Sequence, residues 1–399
     1  MNFILVSPQF PSTYYKFALA LKGVGFTVLG IGDTPYEQLT AEVKTSLTEY
    51  YYCPNMNDYG SMYKAVAFYA FKYGRIDWIE SHNEWWLETD ARLRADFNIV
   101  TGIKYPFIID YKAKAAMKTY FAKAGLPYAR FQLINNRDDA ETFIASVGYP
   151  VFVKPNIGVG SVMSFKLANK NDLDAFFEKK INVIYIMEEF IEGTIESFDG
   201  IADAGSHVVY EASNVFPRPN YLVVSELSDD MYYTTPFVPK DLSEAGRKVI
   251  SAFEVKNRVF HLEFFRLSKD YPHLGKTGSL IPLEVNMRPA GGYTPEMIST
   301  AMGVSLYEAW AKTIAGHVDV PFTPINPCYV GAPARRDRIK YAHTHEEIMK
   351  TYQGKIFSQG AYPPIISEGM GDYFYMAKMM TKDEVESFFV YVLEPAKVI

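Results

Sequence analysis

Three side chains able to bind cations or anions follow one another at steps of two in Leu280-Ile-Pro-Leu-Glu-Val-Asn-Met-Arg-Pro-Ala-Gly-Gly292: Glu284, Asn286 and Arg288. Read as a strand, the stretch turns these three to one face. Ile281, Leu283, Val285 and Met287 then turn to the other, because strand side chains alternate. A second strand-like run, residues 259–267, carries Glu263, and residues 268–279 between them are rich in Gly, Pro, Asp and Lys, as a turn is. A hairpin would set Glu263 beside Glu284 and Asn286. Two carboxylates and an amide oxygen form a hard-oxygen set that suits Mg²⁺, with nucleotide phosphates as the remaining ligands. Alternation alone also describes any half-buried strand. What separates this stretch is the matching acid on the second strand and the Pro-Ala-Gly-Gly after Arg288. There Gly291 and Gly292 free backbone amides to approach an anion.

The run Gly148-Tyr-Pro-Val-Phe-Val-Lys-Pro155 reads as a strand ending in a lysine. Asn156-Ile-Gly-Val-Gly-Ser161 follows as a Gly-rich loop, and residues 162–167 as a further strand. This is not a P-loop, which needs Gly-Lys-Ser/Thr and a following helix. A Gly-rich hairpin tip can still lay backbone amides over phosphates, with Lys154 as a point charge beneath. Lysines rarely end an apolar strand without a partner. Lys114 and Lys118 lie one turn apart in an expected helix over 111–124, beside the face made by Ala113, Met117, Tyr120, Phe121 and Ala124. By themselves they read as surface lysines.

The elements that must hold these groups alternate. Residues 3–6, 14–22 and 26–31 read as strand, helix and strand, which opens a doubly wound parallel sheet. Its first turn lacks G-x-G-x-x-G and is a poor dinucleotide site. A helix over 58–73, a strand over 76–79 and a helix over 85–97 continue the pattern. Strand ends face the ligand crevice in such sheets, so Glu80, His82 and Glu84 are substrate candidates, with a solvated turn the equal alternative. Residues 182–191 read as a strand, 194–202 and 207–216 as a hairpin, and 242–255 as a helix. Ser305 with Glu308 reads as a capping box for a helix ending at Gly316. From about residue 318 a small βαβα unit follows, with capping boxes at Thr344/Glu347 and Thr381/Glu384. Arg335, Arg336 and Arg338 form a basic cluster, read as a solvated face in preference to an anion contact.

Composition sets outer bounds. The 399 residues can hold two or three domains, and 48% apolar with 22% charged residues is ordinary for a globular protein. A net charge of −6 argues against nucleic-acid or anionic-membrane partners. The distant Cys53 and Cys328 suit a reducing compartment and offer no metal-ligand spacing. No signal peptide or apolar run of about 18 residues is visible, so a cytoplasmic location is expected. Aromatics at 16%, with 30 Tyr, serve core or subunit contacts, and a homodimer is compatible with them.

In their order and spacing these features resemble the ATP-grasp superfamily of carboxylate–amine ligases, over roughly residues 1–316. The resemblance implies a combined α/β and α+β fold. A pre-grasp parallel α/β domain would span 1–110, a small grasp lobe with the Gly-rich hairpin 111–190, a large grasp lobe with the metal site 191–316, and the βαβα lobe 317–399. It implies ATP and Mg²⁺ as cofactors, with Mn²⁺ as an alternative. Lys114 and Lys154 would be nucleotide lysines, with Gly158, Gly160 and Ser161 over the phosphates. Glu188, Glu189, Phe190 and Ile191 are similar to the linker whose backbone reads adenine. Glu196 would meet the ribose; the spacing Gly193-Thr-Ile-Glu196 is longer than in several relatives, which leaves Asp199 or Glu192 open. Glu263, Glu284 and Asn286 would hold the metal, and Arg288 would be the catalytic residue, a positively charged contact to the transferred phosphate. Glu84, Arg335, Gly291 and Gly292 are substrate candidates. The implied activity turns a small-molecule carboxylate into an acyl phosphate, with ADP and then phosphate as products, and joins it to an amine. Carboxylation or formyl transfer is the alternative within the family. An ATP-binding sensor without turnover is the alternative outside it, and the intact Glu263, Glu284, Asn286 set speaks against that one.

Overall fold

A computed structural model describes residues 1–158, 163–180, 182–318 and 321–397 of the chain. Its first sheet is parallel and holds β1 (Asn2–Val6), β2 (Thr27–Gly32), β3 (Glu49–Tyr52) and β4 (Trp78–Glu80) in the order β3-β2-β1-β4. Alternation sorts its apolar residues. Ile4, Val6, Leu29 and Ile31 pack on Met62, Ala65, Val66 and Tyr69 of the helix Tyr59–Tyr73. Phe3, Leu5 and Val28 face the helix Tyr15–Gly23 and the buried Trp310 on the other side. Both faces are therefore covered, as a parallel sheet requires.

The second sheet is antiparallel: β5 (Phe131–Ile134), β6 (Val151–Pro155), β7 (Phe165–Leu167) and β8 (Tyr185–Glu189), in the order β5-β8-β6-β7. Val151, Val153, Tyr185 and Met187 pack beneath the helices Arg137–Val147 and Lys170–Lys179. The register sets Phe152 opposite Glu188 and Lys154 opposite Ile186. The face away from those helices therefore carries Lys154 and Glu188 together.

The third sheet has eight strands, all antiparallel: β9 (Gly193–Ala202), β10 (Val208–Phe216), β11 (Asp230–Thr234), β12 (Arg258–Leu267), β13 (Leu280–Asn286), β14 (Tyr329–Arg335), β15 (Ile356–Ala361) and β16 (Tyr373–Met379). Their order is β13-β12-β9-β10-β11-β14-β16-β15. Phe198, Phe260, Leu262 and Phe264 meet the amphipathic helix Lys240–Phe253 on one face. Only glycine fits at Gly246 there, because a Cβ would stand 2.1 Å from the Phe198 ring. Ile201 and Val259, on the opposite face, join the core that holds Phe3 and Trp310. Further along that same face, β9 and β12 present Asp199, His261 and Glu263.

The C-terminal segment differs in one respect from the βαβα expectation. It holds three strand–helix pairs, and its strands extend the third sheet through the β11–β14 pairing. Thr344 and Glu347 do form a capping box. Ser305 and Thr381 cap their helices through the hydroxyl. The helix Thr294–Met302, with Pro295 in its first turn, has no counterpart in the sequence reading. Among the described residues no helix is long and apolar enough to cross a membrane.

Candidate active site

The hairpin of β12 and β13 sets Glu263 directly opposite Glu284 and His261 opposite Asn286. The pairing then slips: Phe264 meets Pro282, so Leu283 has no partner across the ladder. A bulge of this kind inserts one residue and re-aims side chains. β13 lies at the sheet edge, where a proline such as Pro282 is tolerated. The bulge overturns the expected alternation on the near side of the slip. Val285 and Met287 pack together as expected, but Ile281, paired with Phe265, is buried in a separate cluster with Leu267, and Leu283 lines the cavity beside Glu284.

That cavity, about 580 Å³, runs between the exposed face of the second sheet and the polar end of the third. On one wall, Lys154 Nζ lies 2.8 Å and Lys118 Nζ 2.5 Å from the two carboxylate oxygens of Glu188. All three side chains are buried. Burial would raise the Glu188 carboxyl, but the two ammonium groups outweigh it and hold it down at about 2. Burial pulls Lys118 below its ordinary value; Lys154, which also feels Glu284 and Glu263, is pushed up against the same burial.

On the facing wall, His261 Nδ1 lies 2.7 Å from Asp199 Oδ1, and His261 Nε2 3.1 Å from Glu263 Oε1. Burial opposes a charged imidazole there, yet the two carboxylates push it up to about 10, so both ring nitrogens donate. Asp199 also accepts from Asn214 Nδ2 at 2.8 Å and from the Ser197 hydroxyl. Lys114 Nζ sits 3.3 Å from Glu284 Oε1. Arg288 Nε lies 3.4 Å from Glu84 Oε2, while its Nη1 donates to the Pro289 carbonyl at 2.7 Å.

Most of the residues singled out from the sequence come together here. Lys114, Lys154, Gly158, Glu188, Glu189, Phe190, Ile191, Glu263, Glu284, Asn286, Arg288, Gly291 and Gly292 all line the cavity. Gly292 has φ +60°, and a Cβ there would meet Met370 at 2.6 Å. Gly160 and Ser161 lie outside the described residues.

Several expectations need correction. Glu196 does not line the cavity; Arg266 takes both of its oxygens, at 2.7 and 2.8 Å. Of its two alternatives, Asp199 is spent on His261, and Glu192 lines the cavity. Arg335 also points elsewhere, donating to the Val392 carbonyl at 2.7 Å and stacking 4.2 Å over the Tyr341 ring. Its neighbour Arg336 is buried and donates to the carbonyls of Ser228 and Glu368, so this member of the basic cluster is not solvated, while Arg338 is exposed as expected. Glu84 reaches the site only through Arg288. Glu80 is buried between Arg94 and Arg258, and His82 packs between Phe17 and Trp310, where burial pulls it down to about 4.

Two groups went unread. Lys118 looked like surface, although its i+4 spacing from Lys114 put both on one helix face. Helix Pro364–Met370, with Ile366 and Met370 on the cavity, gave no chemical signal at all.

Among the described residues, no three or more His, Cys, Asp or Glu side chains are arranged to hold a metal alone. Glu263, Glu284 and Asn286 supply three hard oxygens on one face of one hairpin. Such a set fits Mg²⁺ when phosphate oxygens complete the shell.

No protein-family model matches the chain. It is 25% identical over 292 residues to an L-arginine-specific L-amino acid ligase of Bacillus subtilis, a match covering 69% of this chain and 68% of that one. In structure it resembles an L-amino acid ligase from Bacillus licheniformis, at a TM-score of 0.72 and 14% identity over 97% of this chain and 95% of that one. It resembles an N5-carboxyaminoimidazole synthetase from Staphylococcus aureus nearly as well, at 0.70 and 14% over 98% and 97%.

Proposed function

We propose that this chain, whose fold and sequence relatives are those of the ATP-grasp superfamily, is an ATP-dependent carbon–nitrogen ligase that joins a small-molecule carboxylate to an amine. One observation carries the reading. Lys154 and Glu188 of the second sheet, Lys114 and Lys118 of a single helix, and Glu263, Glu284, Asn286 and Arg288 of the β12–β13 hairpin and its end all line a single cavity.

The chemistry is anion meeting anion. A carboxylate oxygen attacks the γ-phosphorus of ATP, the bridging P–O bond breaks, and ADP leaves with the electron pair. The amine nitrogen then attacks the acyl carbon, the C–O bond to phosphate breaks, and the nitrogen gives up its proton. Lys154, Lys114 and Arg288 supply fixed positive charge along this path, already oriented by Glu188, Glu284 and Glu84. Glu263, Glu284 and Asn286 would hold Mg²⁺, which when bound offsets phosphate charge. The base would lie against the linker at Glu189, Phe190 and Ile191, with Leu283 as an apolar wall, and Glu192 replaces Glu196 as the proposed ribose contact.

The fold does not separate amide formation from carboxylation, since ligase and carboxyaminoimidazole synthetase match about equally well. The amino acid ligase relative supports the amide. The test is acceptor-dependent release of ADP and phosphate, with hydroxylamine trapping of the acyl phosphate. AMP as product would overturn the mechanism. Turnover with bicarbonate or formate alone would favour the carboxylase or formyl-transfer reading, and ATP binding without any turnover would favour a sensor.

A further inference from the structure

We propose that Asp230 is the binding group for the ammonium of the acid substrate, so that the carboxylate activated here belongs to an amino acid. The inference rests on the ligase reading above and names its substrate class.

Asp230 opens β11, is 8% exposed and lines the cavity. Its Oδ1 accepts the Met231 amide at 2.9 Å. The two arginines that act on it from a distance are engaged elsewhere. Arg218 is paired with Glu226 at 3.6 Å, and Arg336 donates to backbone carbonyls and faces Asp372 at 3.8 Å. Three other acids that line the cavity each have a cation. Glu188 has two lysines, Glu263 has His261, and Glu284 has Lys114. Among the described residues Asp230 has none within 4 Å. Burial accordingly pushes its carboxyl up to about 7. A buried carboxylate open to a cavity is best compensated by a cation that arrives with the ligand.

A metal fits poorly, because among the described residues no group of three or more His, Cys, Asp or Glu side chains able to hold one includes Asp230. An ammonium needs one carboxylate only. Position also favours the substrate over the nucleotide. Tyr232, two residues on along the same face of β11, lies 3.1 Å from Thr294 Oγ1. Thr294 Oγ1 donates to the Gly291 carbonyl at 2.8 Å, in the glycine pair just after Arg288. Asp230 is thereby tied to the Arg288 end of the cavity. The held nitrogen is not the attacking one, since an amine must be uncharged to attack. An α-ammonium, one carbon away from the carboxylate being activated, meets both conditions.

The experiment compares L-leucine with 4-methylpentanoate, its counterpart lacking the amino group, as the acid, and repeats the comparison across other amino acid and des-amino pairs. Hydroxylamine serves as acceptor and hydroxamate is the readout. Wild type should prefer the amino acids by at least about 100-fold in kcat/KM. Asp230→Asn keeps the acceptor for the Met231 amide, and should cut that preference to under about tenfold, mainly through KM, with the KM for ATP unchanged. An unaltered preference in the folded variant would overturn the assignment, and so would a wild type that prefers the des-amino acids. If neither acid class turns over, the ligase reading fails by itself. Calorimetric titration of both proteins with the same acids then decides Asp230 separately. Tighter binding of amino acids that is lost in Asp230→Asn upholds it; equal binding by both proteins refutes it.

Discussion

Glu263 and Glu284 stand directly opposite each other across the β12–β13 ladder. Like charges in that position destabilise a sheet. Here His261 at 3.1 Å and Lys114 at 3.3 Å each hold one of them. Replacing Glu284 with Gln keeps its shape and removes one charge of the pair. ADP release should fall at least about 100-fold, and the melting temperature should fall as well, because relief of the carboxylate repulsion is offset by leaving the buried Lys114 without its counter-charge. Wild-type rates in a folded Glu284→Gln protein would remove the metal assignment.

Glu188 lies between two buried lysines. Glu188→Gln leaves Lys118 and Lys154 buried without a counter-charge, a loss of about 3–5 kcal/mol by analogy with other broken buried pairs. The pH dependence has a definite sign. The carboxyl lies at about 2 when folded against its usual 4.5, so its stabilisation is complete above 4.5 and is lost as pH falls from there towards 2. Urea midpoints should therefore drop more steeply in wild type than in Glu188→Gln over that window. Parallel curves would show that the pair contributes nothing to acid sensitivity.

Much of this site was legible because it lies on regular strands. Lys154, Glu263, Glu284 and Asn286 sit where period-two alternation puts them, and alternation needs only the sequence. The losses have physical causes. Leu283 was misplaced because a bulge changes the period by one residue, and nothing in Ile-Pro-Leu-Glu marks it except the proline. Glu196 and Arg335 were misassigned because their partners, Arg266 and Tyr341, arrive through tertiary packing. Arg336 read as solvated because three nearby arginines look like a surface, whereas carbonyls of a distant helix bury it.

Leu283 offers a clean separation of binding from stability. It lines the cavity and belongs to none of the buried clusters, whereas Met287, just past the end of the strand, is buried against the helix Lys240–Phe253. Leu283→Ala should raise the KM for ATP by about tenfold, the loss expected for about 1.5 kcal/mol of apolar contact, and leave the denaturation midpoint nearly unchanged. Met287→Ala should do the reverse, costing about 2–5 kcal/mol of stability with little change in KM for the protein that remains folded. Equal effects on both properties in both variants would remove the bulge argument.

Glu80 joins the first sheet to the third. It is the last residue of β4, and its carboxylate receives Arg258 from the start of β12 together with Arg94 at 3.2 Å. Arg258 also donates to the Met287 carbonyl at 2.9 Å, and Arg94 to the Ile79 carbonyl at 3.0 Å. Burial works against a charged Glu80, but the two guanidinium groups hold its carboxyl low. Removing that charge strands two buried cations, so Glu80→Gln should cost about 3–5 kcal/mol. Replacing Glu80 and Arg258 together with Leu and Met should cost less than the sum of the single changes, because one stranded charge is gone. A double-mutant cycle by urea denaturation measures the difference. The same proteins, assayed well below their unfolding midpoints, should keep wild-type KM values, since neither Glu80 nor Arg258 lines the cavity. A tenfold rise in KM for acid or amine without loss of stability would return Glu80 to the substrate site.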